Sequence, residues 1–218
     1  MDLIKTEKGV LTILTGKPDM GKSTITVYDC SENLKAGKRV MFFSYEYCQS
    51  IIYNKLISHF KTSWSQLLHL NVIEASGLNL KSLINIVKNR KNFVDVVYID
   101  FLDLLKKSTY SEESSNEQES LKQIQEIIKE LSKLAKEMDI SIVLLSQIGS
   151  STNFEKSVER LNAFGEKTQN EIIKMFIGKG NVIDKKIEYD DVVHLILVEG
   201  YNLRHYSSIN IQNIYKGS

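Results

Sequence analysis

The chain has 218 residues, of which 42% are hydrophobic and 25% charged, with a formal net charge of +1. These proportions fit a soluble globular protein with ample core, one domain of the larger α/β kind. They exclude a globally basic character, so any nucleic-acid contact must come from local patches. No apolar run reaches membrane-spanning length, and the N-terminal MDLIKTEKG lacks the pattern of a signal peptide. No membrane association and a cytoplasmic location are therefore expected. Cys30 and Cys48 lack C-x-x-C spacing and read as reduced thiols, and the four histidines show no metal-ligand spacing.

Residues 1–9 form a short polar lead-in. The apolar run Val10-Leu11-Thr12-Ile13-Leu14 then predicts a strand, and GKPDMGKST (residues 16–24) follows it. That stretch fits G-x-x-x-x-G-K-[ST], through Gly16, Gly21, Lys22 and Ser23, with a predicted helix running from Lys22 to about Lys35 and stopping near Gly37. The strand–loop–helix context predicts a phosphate-binding loop made of Gly16, Lys17, Pro18, Asp19, Met20, Gly21, Lys22, Ser23 and Thr24. Glycines let backbone N–H groups turn inward around phosphate oxygens, and the helix start adds its positive dipole end. Lys22 is expected to reach the β and γ phosphates of ATP, and the Ser23 hydroxyl to ligate Mg²⁺. Pro18, the only proline, should stiffen the loop by fixing φ.

The next elements alternate. Arg39 to Ser44 reads as a buried strand ending in Tyr45-Glu46-Tyr47. A helix is predicted from about Gln49 to Phe60, with Ile51, Ile52, Leu56 and Ile57 on its apolar side, and a short helix through Trp64, Leu67 and Leu68. A strand over Asn71–Glu74 precedes a helix near Leu80 to Lys91. Val94 to Asp100 reads as a central parallel strand, residues 106–119 as a polar loop, and 117–138 as a strongly amphipathic helix. Ile140 to Leu145 is a strand closing on Ser146-Gln147. Residues 148–186 are read with one helical piece around 166–176. Two strands, 192–198 and 209–215, joined by a turn around Gly200 to Ser207, end the chain. Alternating strands and helices imply a mainly parallel twisted sheet covered by helices on both faces, within a single domain spanning residues 1–218.

Strand ends on one edge of such a sheet are where ligands bind. Val-Val-Tyr-Ile-Asp100 reads as a Walker B strand, with Asp100 holding the metal's water shell beside Ser23; the alternative is an aspartate that merely ends a strand. Glu46 can orient and deprotonate an attacking water, or be a solvated glutamate at a loop start. Gln147 can sense the γ-phosphate and transmit its loss to the next loop, or simply end a strand.

Together these residues resemble the RecA-like C-terminal ATPase domain of DnaB-type replicative DNA helicases. GVLTILTGKPDMGKST is similar to that family's first motif, and VMFFSYEY to its strand with the catalytic glutamate. VDVVYIDFLDLL is similar to its Walker B strand. LKQIQEIIKELSKLAKEMDISIVLLSQ is similar to its helix, strand and sensor glutamine, and KIEYDDVVHLIL to its late paired-acid segment. The resemblance implies a RecA-like P-loop fold with a sheet of order 5-1-4-3-2, the Gln147 strand lying between the phosphate-loop and Walker B strands. It implies a hexameric ring with ATP between subunits, catalysis by Lys22, Glu46, Asp100 and Gln147, and single-stranded DNA in the central channel.

The chain departs from the family's pattern in places. It starts almost at the first strand, so the N-terminal helical domain and linker helix are expected to be absent and ring formation to need a partner protein. The finger motif K-x-R-x-G is reduced to Tyr-Lys216-Gly217-Ser218. Lys216, or Arg204 as the weaker choice, is the candidate finger reaching a neighbour's site. Ile177-Gly178-Lys179-Gly180 replaces the usual arginine-containing loop, with Lys179 a candidate contact to a DNA phosphate or a solvated lysine. The expectation is a Mg²⁺-dependent ATPase and DNA helicase motor acting on single-stranded DNA in replication. Its rivals are an ATP-gated regulatory or loading module that does not unwind DNA, and a recombinase-like or clock-protein-like RecA relative.

Overall fold

The computed structural model describes residues 3–110, 117–147, 161–163, 172–179, 192–199 and 202–210. Its elements in chain order are β1 (Leu11–Gly16), α1 (Lys22–Lys35), β2 (Val40–Ser44), α2 (Gln49–Ser58), α3 (Trp64–Leu67), β3 (Leu70–Glu74) and α4 (Leu80–Lys88). Then come β4 (Val96–Asp100), α5 (Leu102–Thr109), α6 (Glu117–Met138), β5 (Ser141–Gln147), β6 (Ile172–Lys179), β7 (Val192–Glu199) and β8 (Asn202–Asn210).

The strands form one sheet in the order β3-β2-β4-β5-β1-β6-β7-β8. Six of them, β3 to β6 in that order, are parallel, and β7 and β8 extend the sheet antiparallel. As the family resemblance implies, the Gln147 strand β5 lies between the phosphate-loop strand β1 and the Walker B strand β4. β3, the strand expected over Asn71–Glu74, adds an edge to the five-strand order that the resemblance implies.

The central strands are mostly apolar because both faces are covered. Every residue of β1, β2 and β4 is buried. Alternation then divides the core in two. Leu11 and Ile13 pack with Leu83 of α4, Leu105 of α5 and Leu131 of α6. Leu14 packs on the other face with Ile25 of α1, Ile52 of α2 and Leu67 of α3. That second face carries a buried polar network. Tyr98 Oη donates to Asp29 Oδ2 at 2.6 Å, and Asn33 Nδ2 donates to Tyr98 Oη at 2.8 Å and to Asp29 Oδ2 at 3.1 Å. The Ile4 N–H closes on Asp29 Oδ1 at 3.3 Å. Each buried polar atom here finds a partner, so the network locks α1 against β4 and fixes the phosphate loop relative to the Walker B strand.

Helix ends follow local chemistry. Gly37 at φ 78° ends α1, with the Lys38 N–H returned to the Asn33 carbonyl at 3.0 Å. Asn79 caps α4 by accepting from Ser82 N at 2.9 Å.

Four expectations are corrected. Residues 106–109 belong to a helix, α5, whose Leu102 and Leu105 are spaced to bury together; a polar Lys-Lys-Ser-Thr surface hid that pattern. The helical piece read at 166–176 is a strand where it is described: Ile172 to Phe176 lie in β6, paired with Leu11 to Thr15 of β1. The turn read over Gly200 to Ser207 shrinks, because β8 already begins at Asn202, which pairs with Glu199. Ile177, Gly178 and Lys179 are the end of β6 and not a loop. On α2, Ile52 and Leu56 are buried, while Ile51 is 38% exposed.

Candidate active site

The carboxyl ends of β1, β2, β4 and β5 converge on one edge of the sheet. There a cavity of about 420 Å³ is lined by the phosphate loop, Glu46, Asp100 and Gln147. The loop turns through two left-handed residues, Asp19 at φ 59° and Gly21 at φ 83°, the second standing at the N-cap of α1. This brings Lys22 back over the loop, where its Nζ donates to the carbonyls of Gly16 (2.9 Å) and Lys17 (2.6 Å). Burial lowers the Lys22 pKa, opposed by the negative charge of Asp100, Asp19 and Asp103. Gly16 is required by packing: a Cβ there would stand 2.3 Å from Ile177 Cγ2 and 2.8 Å from the Ile177 carbonyl oxygen.

Asp100 is 2% exposed. The nearby Ser23 hydroxyl favours its charged form, while its Oδ2 is buried with no hydrogen-bond partner. Desolvation raises its pKa to about 6, with Glu46 adding in the same direction against Ser23, Lys22 and Lys55. A buried carboxylate oxygen left open beside a serine hydroxyl is the donor set a hard divalent cation takes. The residues present therefore fit magnesium and the phosphates of a nucleotide.

β2 delivers Glu46 through a small turn. Ser44 Oγ donates to the Tyr47 carbonyl at 2.7 Å and accepts from the Tyr47 N–H at 3.1 Å. The Tyr45 N–H donates to the Asp100 carbonyl at 2.8 Å, which ties this turn to the Walker B strand. Glu46 is left exposed at the cavity. Gln147 sits beside Gly16 in the β1–β5 register, so the sensor candidate and the start of the phosphate loop are neighbours.

Most of the expected site is thus brought together: Pro18, Asp19, Gly21, Lys22, Ser23, Thr24, Glu46, Asp100 and Gln147 all line the cavity. Three loop residues do not. Gly16 and Lys17 serve the lysine through their carbonyls, and Met20 packs its side chain against the apolar core. Arg204 is exposed on β8, three strands from β1, or about 14 Å at ordinary strand spacing. Lys179 ends β6 on the carboxyl edge, and Lys216 lies outside the described residues.

The sequence reading missed Tyr47, Lys55 and Phe101, which also line the cavity. Lys55 Nζ stands 5.1 Å from the centroid of the Tyr47 ring. The signal was a lone cation on the polar side of α2, nine positions after Glu46, and only the return of that helix over the strand ends gives it meaning.

This strand order, with the Gly16–Thr24 loop between β1 and α1 and Asp100 and Glu46 at the ends of neighbouring strands, is that of a RecA-like P-loop fold. Comparison with known proteins narrows the class. Residues 61–160 match the family model described as DnaB-like helicase C terminal domain. A probable plasmid replicative DNA helicase of Chlamydia psittaci is 30% identical over 168 residues, covering 65% of this chain and 35% of that protein. The replicative DNA helicase DnaB of Pasteurella multocida (strain Pm70) is 24% identical over 220 residues, covering 86% of this chain and 46% of that protein. Among solved structures, an ATPase domain aligns with a TM-score of 0.67 at 17% identity, over 95% of this chain and 84% of that one. A DnaB-like replicative helicase, described with its interactions with primase, aligns at 0.66 and 16% identity, over 93% and 55%. The chain is similar to DnaB-like helicase C-terminal domains over residues 61–160 and shares the RecA-like fold of the solved ATPase domains. It spans about a third to just under half of the length of the curated relatives it matches.

Proposed function

We propose that this chain is a Mg²⁺-dependent ATP hydrolase, the motor domain of a replicative DNA helicase acting on single-stranded DNA. The observation that carries the reading is the open, buried Oδ2 of Asp100 beside the Ser23 hydroxyl, inside a cavity that also holds Lys22 and Glu46. The backbone N–H groups at the start of α1 and the Lys22 ammonium bind the β and γ phosphates. Ser23 and Asp100 hold magnesium, which when bound supplies charge neutralisation on the transferring phosphoryl group. Glu46, exposed at the mouth, accepts the proton of the attacking water. Gln147, adjacent to Gly16, reads the presence of the γ-phosphate and passes it to the segment that follows β5.

The relatives' names supply the nucleic-acid side of the proposal, together with cations on the late part of the chain. Arg204 stands too far along the sheet to serve its own phosphate loop, which suits a residue offered to a neighbouring subunit's ATP. Arg204 or Lys216 is the proposed finger, and Lys179 at the end of β6 the proposed contact to a DNA phosphate. A hexameric ring, or a partner protein that assembles one, follows from that division of the site.

The test is the ATPase rate with and without single-stranded DNA, across protein concentration, with Lys22→Ala as the blank. The proposal expects strong stimulation by DNA that rises cooperatively with concentration. A slow rate, flat in both variables, would instead identify an ATP-gated regulatory or loading module.

A further inference from the structure

At the opposite end of the same sheet, β3 is the outermost strand among the described residues and bonds only to β2. The Val40 N–H donates to the His69 carbonyl and the Ala75 N–H donates to the Ser44 carbonyl, so residues of odd number face β2. The N–H and C=O groups of Leu70, Val72 and Glu74 therefore point away from the sheet, with no backbone partner among the described residues. Such an edge is a ready template for another strand, and it is usually blunted by proline, a bulge or an inward charge. Leu-Asn-Val-Ile-Glu has none of these before its last residue.

The surroundings of this edge are apolar and basic. Trp64 and Leu68, four positions apart and so on one side of a helical turn, are 75% and 85% exposed. Phe93 is 73% exposed. A cavity of about 500 Å³ at the amino ends of β2 and β3 is lined by Leu68, Leu70 and Phe93 together with Arg39 and Arg90. Arg39 is committed to Asp95. Arg90 and its neighbour Lys91 are exposed and form no ion pair with a described residue. Leu68, Phe93 and Arg90 share the lining of this mouth with Leu70 and Asn71 of β3, so two of the exposed hydrophobics and one uncommitted cation meet the amino end of the edge strand. A protein surface seldom leaves such an apolar patch without use.

We propose that this edge docks an extended segment of another protein, acidic and aliphatic in alternation, which adds to the sheet as a strand beside β3. Main-chain hydrogen bonds to Leu70, Val72 and Glu74 would supply affinity. Aliphatic side chains would enter the mouth between Leu68 and Phe93, and carboxylates would meet Arg90 and Lys91. The row of outward N–H and C=O groups on β3 favours a peptide strand over nucleic acid, although exposed Trp64 and Phe93 with the two cations would by themselves suit either.

Trp64 is the only tryptophan in the chain, so its fluorescence reports this surface directly. The probe is a capped peptide of alternating Glu and Val, compared with its Lys–Val counterpart and with oligo-dT. The expected result is a saturable blue shift with the Glu–Val peptide and binding about tenfold weaker or worse for the Lys–Val peptide. Hydrogen exchange should slow at the Leu70 and Val72 amides. Arg90→Glu combined with Lys91→Glu should weaken the Glu–Val peptide by about tenfold or more while leaving the thermal midpoint unchanged. Val72→Pro removes one outward N–H, a change that edge strands tolerate, and should abolish the exchange protection. Equal response to both peptides, preference for oligo-dT, absence of a saturable shift, or a shift without protection at Leu70 and Val72 would each overturn the proposal.

Discussion

The two ends of the central strands treat charge in opposite ways. At the amino end, Arg39 and Asp95 satisfy one another: Arg39 N and Nε each donate to Asp95 Oδ2 at 2.9 Å, and Nη2 donates to Oδ1 at 2.7 Å. At the carboxyl end, Asp100 is more deeply buried yet keeps an oxygen without a partner, and Lys22 is desolvated over a turn of left-handed residues. The consequences for the two carboxyls are opposite. Asp95 is pulled down to about 2 by its bonds to Arg39, and Asp100 is pushed up to about 6 by burial. One end commits its polar groups to holding strands together; the other withholds them for a ligand. That contrast, more than the presence of acidic or basic residues, separates the scaffold from the proposed chemistry.

Substitutions should break this contrast by different amounts. The largest effect is expected at Lys22. Lys22→Ala should reduce ATP hydrolysis by about a thousandfold or more, because the loop loses the charge that meets the phosphates. Circular dichroism should show the fold retained, and a steady-state ATPase assay measures the loss. Glu46→Gln should lower turnover by about a hundredfold or more while still binding a fluorescent ATP analogue, since only the proton acceptor is removed. Normal turnover in that variant would cancel the catalytic assignment.

Asp100→Asn tests the cost of withholding. At pH 8 the native protein carries an ionised carboxylate in a site that favours the neutral acid, because its pKa is raised to about 6 from an ordinary value of 3.8. The nucleotide-free variant should therefore be more stable than wild type by up to about 2 kcal/mol at pH 8. The advantage should shrink as pH falls through 6, where the wild-type carboxyl takes up its proton. Urea midpoints at pH 8 and pH 5 measure this, and the same variant should lose stabilisation by magnesium and ATP.

Between the two ends, Tyr98→Phe removes the hydroxyl shared by Asp29 and Asn33, two positions before Asp100. It should cost about 1–3 kcal/mol in chemical denaturation, because both remaining groups are buried. The smallest effect belongs to the amino end. Asp95→Asn should lower stability modestly at neutral pH, the pair being partly exposed at 39% and 26% for its two side chains. The deficit should disappear as pH falls from about 4 to about 2. A carboxyl with a depressed pKa stabilises above its ordinary value and loses that contribution as it protonates.

Much of the proposed site was legible because it is encoded locally. Gly16, Gly21, Lys22 and Ser23 fall within one turn, and their backbone conformations follow from residue type. Glu46, Asp100 and Gln147 each follow a run of buried apolar residues, and in a parallel sheet such runs end on the same edge. Lys55 was not legible. Nothing in Tyr-Asn-Lys-Leu marks a functional lysine, and only the packing of α2 over the strand ends brings it beside Tyr47 and within the field of Asp100. The strand β6 was misread for a related reason. Its neighbourhood is rich in lysine and asparagine, and its identity rests on pairing with β1, some 160 positions earlier in the register from Leu11 to Ile172.

The sequence by itself determined the phosphate loop, the alternation of buried strands with amphipathic helices, and the chemistry waiting at three strand ends. Each of these depends on residue type and short-range periodicity, which the chain carries within a few turns. Only the tertiary structure decided that Met20 packs against the core and not into the cavity, that Asp100 keeps an oxygen open, and that β3 stands at the sheet's edge with its outward backbone unpaired among the described residues. Those outcomes depend on burial and on contacts between residues distant in sequence, where desolvation and packing, not local propensity, set the energy.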